Sequence, residues 1–258
     1  MTWVVGSELA RGATAVITRG EPGTVVKTLT RELPAIVMQL EAAGTRAAMA
    51  AGLPCAALLA TDFEGEPPSL TFEYVEGVEL ARLYGELGPE QIGVNLANLQ
   101  HQVRQVRVPQ VIAIEDFLGF QLAQDGIPEN LRAAARRDLA RLTAHSERVL
   151  CHMDLHDANV MMTATGPVII DWTNASAAPA EADVARTRLV VGNEIFNSPH
   201  QRQELEQVLA AFIDRTEQLE PGLVGASRAW DRVLAAARLD EHPGEAERAA
   251  ILARHGRA

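Results

Sequence analysis

His152, Asp154, His156, Asn159 and Asp171 are the residues best able to do chemistry in this chain. An apolar run ending at Cys151 leads into His152-Met-Asp-Leu-His-Asp-Ala-Asn, so Asn159 falls five residues after Asp154. A second apolar run, Val168 to Ile170, ends in Asp171. These residue types at this spacing suit the transfer of a phosphoryl group. A carboxylate at 154 can take the proton of an attacking hydroxyl. An amide oxygen at 159 and a carboxylate at 171 can hold the Mg2+ that bridges nucleotide phosphates. Asp and Asn are also common turn residues, so the surroundings must decide. Val168 to Ile170 reads as a short buried strand. Thr163 to Pro167 reads as the turn that joins it to Val160-Met-Met. Such a ribbon carries Asp154 and Asn159 on the loop after one strand and Asp171 at the end of the next.

The basic residues carry a second signal. The chain has 23 lysines and arginines, and Lys27 is the one lysine among them. A chain that uses arginine for ordinary surface charge and places its lysine in Thr24-Val-Val-Lys-Thr-Leu points to a position that needs a compact charge and not a planar fork. The competing reading is a lysine snorkelling from an edge strand. The next segment, Pro34 to Ala51, has helical spacing, with Ile36, Val37, Leu40, Ala43, Ala47 and Met49 as its expected apolar stripe. Glu41 lies in its middle and is assigned as the partner of Lys27. Glu32 is the second choice, although an acid at a helix start is favoured by the dipole alone.

Cys151 to Asn159 and Ile169 to Trp172 resemble the catalytic and metal-binding segments of the aminoglycoside phosphotransferase and choline kinase-like family, small-molecule relatives of the protein kinases. Thr173 to Thr187 is also similar to the family's next segment, with Asp183 on a recurring Asp. Met153 stands where relatives usually have Gly, and Asp157-Ala158 stands where Pro-Gly is common. The resemblance implies an α+β, protein kinase-like bilobal fold, with a small antiparallel β lobe holding one helix and a larger, mainly helical lobe. It implies ATP and Mg2+ as cofactors, with Asp154 as the catalytic base and Asn159 and Asp171 as the metal ligands. Lys27, held by Glu41, would meet the phosphates. Gly12 and Ala13 would offer backbone N–H groups, and Thr14 a hydroxyl, to the nucleotide. The backbone around Glu73 to Val75, in a stretch similar to the family's hinge, would meet adenine.

Composition narrows the classes further. The chain has 258 residues and 47% hydrophobic residues, enough for a packed core. It contains no apolar run long enough for a membrane span, and its first residues lack the basic start of a signal peptide. The net charge of −11 argues against nucleic acid as a partner and suits a cationic small substrate. Cys55 and Cys151, each with apolar neighbours, read as reduced thiols of a cytoplasmic protein.

The expected organisation is an N-terminal nucleotide-binding lobe over 1–76, including the hinge, and a C-terminal helical lobe over 77–258 for catalysis and substrate. Helices are expected over Pro89–Val106, Ile114–Ala123, Pro128–Ser146, Ala182–Gly192, Ser198–Glu217, Leu223–Leu239 and Gly244–His255. The activity that follows is transfer of the γ-phosphoryl group of ATP to a hydroxyl of a small molecule, such as an aminoglycoside, amino alcohol or sugar. Three alternatives compete: an atypical protein Ser/Thr kinase, a nucleotide-binding pseudokinase, and a zinc hydrolase built on His152, Asp154 and His156. The absence of a long activation segment after Asp171 and of an Ala-Pro-Glu signature speaks against the first. A complete set of catalytic residues speaks against the second. The position of the histidines after a strand, and not on a helix, speaks against the third.

Overall fold

The structure is a computed structural model and describes residues 3–12, 14–30, 33–107 and 110–256. Glu32 and Ala13 lie outside them. In chain order come β1 (Glu8–Arg11), β2 (Ala15–Arg19), β3 (Thr24–Leu29), α1 (Ile36–Ala50), β4 (Leu58–Asp62), β5 (Ser69–Glu73) and β6 (Val78–Glu79). Next are α2 (Tyr84–Leu87), α3 (Pro89–Arg104), α4 (Ile114–Gln121), α5 (Glu129–Thr143), β7 (Val149–Cys151), β8 (Val160–Thr163), β9 (Gly166–Ile169) and β10 (Ser176–Ala178). The chain continues with α6 (Ala180–Asn197), α7 (Arg202–Leu219), α8 (Leu223–Ser227), α9 (Asp231–Arg238) and α10 (Glu245–His255). This is the expected α+β class. By its internal contacts the chain forms two compact units, one of residues 1–80 with 158–175, the other of residues 81–157 with 176–258.

In the first unit, the described residues form a five-stranded antiparallel sheet in the order β1-β2-β3-β5-β4. β3 lies at its centre, and Lys27 stands between Ile17 and Leu70 in the register. Alternation along β3 puts Lys27 on the same face as Leu29, and Leu29 packs with Met38 and Ala42 of α1. The strand period therefore aims the lysine at the helix. The inward face of α1 is Met38, Glu41, Ala42, Gly44, Thr45 and Ala48, whereas Ile36 and Met49 are exposed. The expected apolar stripe is thus corrected in part: Ile36 and Met49 face outward, Val37 packs partly buried, and the inward face holds Met38, Glu41 and small residues, the latter where the helix lies close to its neighbours. Gly44 shows how close. A Cβ there would meet the Trp172 carbonyl oxygen at 2.7 Å and the Ala175 Cβ at 2.6 Å. The helix ends in a Schellman motif. Gly52 adopts φ of 70°, its N–H donates to Met49 O, and Leu53 N–H donates to Ala48 O.

The β8–β9 ribbon belongs to this unit and pairs Val160 with Ile169. Ile169 N–H donates to Pro54 O, which ties the ribbon to the chain leaving α1.

In the second unit, α3 buries Ile92, Leu96, Leu99 and Val103, the face expected for it, and packs against α7. The main core joins α4, α5 and α9 through Ile114, Leu118, Leu131, Trp230 and Val233. The helix expected over Leu223–Leu239 is in fact α8 and α9 with a 3-10 turn at Arg228–Trp230 between them. The bend lets Trp230 enter the core, where it is 1% exposed. β7 and β10 pair antiparallel, with Cys151 opposite Ser176, and the loop with Asp154 leaves the end of β7.

Candidate active site

Three chemically important side chains of the first unit converge. Lys27 Nζ lies 2.8 Å from Glu41 Oε1 and 3.1 Å from Asp171 Oδ1. Lys27 is 8% exposed and Glu41 is 2% exposed. Burial alone would lower the Lys27 pKa, but the two carboxylates outweigh it and hold the amine above its ordinary value. The lysine is therefore a fixed positive charge at neutral pH. The Asp171 side chain keeps 43% of its surface exposed, so it can serve a second partner besides Lys27.

Thr173 completes this cluster, and the sequence reading missed it. Its Oγ1 lies 2.6 Å from Asp171 Oδ1 and 3.1 Å from Glu41 Oε2. One hydroxyl proton serves one of these carboxylates at a time. Asp171 has φ of 60°, a left-handed value that is costly for a non-glycine residue and is typical of functional positions. Ile170 N–H donates to Asn159 O at 3.0 Å, so the ribbon ties the residue before Asp171 to Asn159. The two expected metal ligands thus sit on adjacent strand ends. Their carboxylate and amide oxygens are hard donors that suit Mg2+, which takes few protein ligands and completes its shell with phosphate oxygens and water. Among the described residues no group of three or more His, Cys, Asp or Glu could hold a metal ion, so the hydrolase set of His152, Asp154 and His156 finds no support in the geometry.

The remaining nucleotide candidates are placed less tellingly. Gly12, expected to offer its N–H to phosphate, donates it here to Ala15 O at 2.9 Å and so closes the hairpin. Thr14 is exposed in that turn, and its carbonyl accepts Thr30 N–H. At the end of β5, Glu73 N–H donates to Ala57 O and Tyr74 N–H to Gly23 O. The Glu73 carboxylate accepts Ala57 N–H at 2.9 Å.

Asp154 belongs to the second unit and has its own setting. Three side chains on one face of α6 hold the loop that carries it. Asp183 Oδ1 accepts Met153 N–H at 2.8 Å. Arg186 Nε donates to Met153 O at 3.0 Å, and its Nη2 lies 3.3 Å from Asp154 Oδ1. Thr187 Oγ1 donates to Leu155 O at 3.0 Å. Gln100 of α3 braces α6 in turn, donating to Asp183 O and Thr187 Oγ1. Burial pushes the Asp183 carboxyl up to about 6, against the opposing pull of Met153 N–H and the Arg104 charge. Met153 has φ of 59° and is 1% exposed. Its backbone is strained where a glycine would not be, while its side chain fills the core that contains Trp230 and Val233.

His156 lies between two acids, with Nε2 4.0 Å from Asp154 Oδ2 and Nδ1 3.8 Å from Asp157 Oδ1. Tyr84 Oη donates to Asp157 Oδ2 at 2.7 Å. Burial would raise the Asp157 pKa, but His156 and Tyr84 outweigh it and hold the carboxyl below its ordinary value. Asp231 and Glu241 are both taken up by arginines: Arg188 meets Asp231, and Arg186 and Arg238 meet Glu241.

Residues 7–221 match the family described as the phosphotransferase enzyme family. No curated protein matches the chain in sequence. Among solved structures, an aminoglycoside-3'-phosphotransferase of type VIII superposes with a TM-score of 0.65 at 19% identity, covering 92% of this chain and 93% of that one. A choline/ethanolamine kinase family protein from Mesorhizobium loti gives 0.62 at 15% identity, covering 97% and 85%. The streptomycin-ATP-APH(2")-IIa ternary complex gives 0.59 at 10% identity, covering 98% and 90%. At these identities the likeness is one of fold.

Proposed function

Because the chain belongs to the phosphotransferase enzyme family, we propose that it moves the γ-phosphoryl group of ATP, with Mg2+, to a hydroxyl of a small cationic molecule. The observation that carries this reading is the buried meeting of Lys27, Glu41 and Asp171. It combines a fixed ammonium charge with a part-exposed carboxylate, the pair needed to handle phosphate and metal.

Lys27 neutralises phosphate charge, and Glu41 keeps its amine in place. Asp171 and Asn159 would hold Mg2+, which supplies charge neutralisation on the phosphates when bound. The Thr14 hydroxyl contacts phosphate from the β1–β2 turn, where Gly12 leaves room for the chain to approach. The backbone of Glu73 and Val75 meets adenine. Asp154 orients the acceptor hydroxyl and takes its proton. Phosphoryl transfer has a loose transition state, so positioning and charge stabilisation do most of the work.

The acceptor class follows from two supports. The net charge of −11 attracts cations. The names of the structural neighbours, aminoglycoside and choline/ethanolamine, share an alcohol that carries nitrogen. The test is an ATP-consumption screen over aminoglycosides, amino alcohols, sugars and nucleosides, with Asp171→Ala as control. Turnover of an amine-bearing alcohol, lost in the control together with Mg2+-dependent ATP binding, is the expected result. Turnover only of neutral alcohols would overturn the acceptor class, and ATP binding unchanged in Asp171→Ala by calorimetry would overturn the metal site.

A further inference from the structure

We propose that Arg186 is a positioning residue for Asp154, fixed in its own orientation by Glu241; the proposal rests on the reading of Asp154 as the base. Arg186 is 5% exposed, and its guanidinium spends its donors on three groups. Nε binds the Met153 carbonyl, and Nη2 reaches both Asp154 Oδ1 at 3.3 Å and Glu241 Oε1 at 2.9 Å. The contact to Asp154 is the longest of the three, so its contribution is direction more than strength. With one carboxylate oxygen anchored and the preceding carbonyl bound to the same plane, the acid has little freedom to rotate.

The arginine is held from its far side as well. Glu241 also pairs with Arg238 and accepts from Gln121 Nε2 at 3.4 Å. Arg238 Nε meets Glu247 Oε1 at 2.7 Å, and Asn193 Nδ2 meets the same oxygen at 2.7 Å. Arg186 is therefore set in a chain of alternating charges that runs from Asp154 to α10. A planar fork serves carbonyl and carboxylate together, which a lysine ammonium cannot do in the same geometry. If Arg186 only balanced the Glu241 charge, its bond to the Met153 carbonyl and its approach to Asp154 would be incidental.

The experiment compares Arg186→Gln, Arg186→Lys and the charge-balanced double variant Arg186→Gln/Glu241→Gln with the full chain. The probe is Mg-ATP with water as the phosphoryl acceptor, which needs no other substrate to be known. Arg186→Gln and the double variant are expected to lower kcat roughly 10- to 100-fold, with KM for ATP within about twofold, and Arg186→Lys to recover only part of the loss. The double variant guards against a folding defect, because it leaves no buried carboxylate at 241 without its arginine. A kcat within about threefold of wild type in the double variant overturns the proposal. So does a loss in which KM for ATP and the melting temperature move together with kcat in both glutamine variants. Asp154→Asn is measured beside them and is expected to lower kcat about 10²- to 10⁴-fold. Wild-type turnover in Asp154→Asn would sink the base assignment itself. A silent Arg186 beside an inactive Asp154→Asn would sink only the positioning role.

Discussion

The two ionic clusters solve the same problem with different cations. Around Lys27 a single ammonium on β3 meets two carboxylates brought from α1 and the end of β9. Around Arg186 a guanidinium meets a carbonyl and two carboxylates, and the pairing continues through Arg238 to Glu247. Lysine gives a point charge on a thin stem that reaches both carboxylates while staying buried. Arginine gives a rigid fork that binds a carbonyl and two carboxylates at fixed angles, which suits an orienting part. In a chain whose other basic residues are all arginine, the one lysine marks the place where charge and not geometry is wanted.

Breaking the first cluster gives the largest expected effect on stability. Lys27→Met leaves Glu41 buried without its partner, and loss of one member of such a pair costs about 3–5 kcal/mol. Urea denaturation should show it as a lower midpoint. The double variant Lys27→Met/Glu41→Leu, which makes both sides apolar, should recover most of that stability while ATP turnover stays lost. Recovery of turnover in the double variant would show that the pair is only structural.

A smaller effect comes from Asp183, under the second cluster. Its folded carboxyl is raised from 3.8 to about 6. In that window the native state holds the proton more tightly than the unfolded state, so stability falls as pH rises from about 4 to about 6. The full effect is of order 3 kcal/mol. Asp183→Asn keeps an acceptor for Met153 N–H and removes the titration. Denaturation curves at several pH values should lose this part of the slope, and an unchanged slope would show that Asp183 is not its source.

The smallest effect is at Met153. Glycine there removes a left-handed strain of about 1–2 kcal/mol but also a buried side chain of about 1.5–3 kcal/mol. The Met153→Gly variant should be destabilised by about 1 kcal/mol in urea. A stabilised variant would mean that strain outweighs burial at this site.

The sequence made part of this legible, for physical reasons. Strand and helix order was readable because β5 alternates with a period of two, α3 repeats at 3.6 and β3 is a short apolar run. The meeting of Lys27 with Glu41 was readable because a lone lysine on an apolar strand and a single acid in the middle of the next helix are each unusual. The inward face of α1 was misread in part because close packing at Gly44 requires a small residue, while Ile36 and Met49, apolar by type, face outward. Thr173 and Arg186 gave no signal by type, since threonine and arginine are ordinary anywhere. A pattern was nonetheless present: Asp183, Arg186 and Thr187 stand one helical turn apart and are all buried, and polar residues at that spacing on an inward face need partners. The fate of the Gly12 N–H was invisible, because backbone bonds within a turn leave no mark on side-chain identity.

Gly44 gives the first cluster a mechanical origin. It lies one turn beyond Glu41 on α1, and a methyl group there would collide with the backbone of Trp172, the residue after Asp171. The absent side chain therefore acts as a spacer of zero thickness between the helix bearing the glutamate and the segment bearing the aspartate. Adding one carbon at 44 would wedge these apart, and the ammonium between them would have to choose one acid.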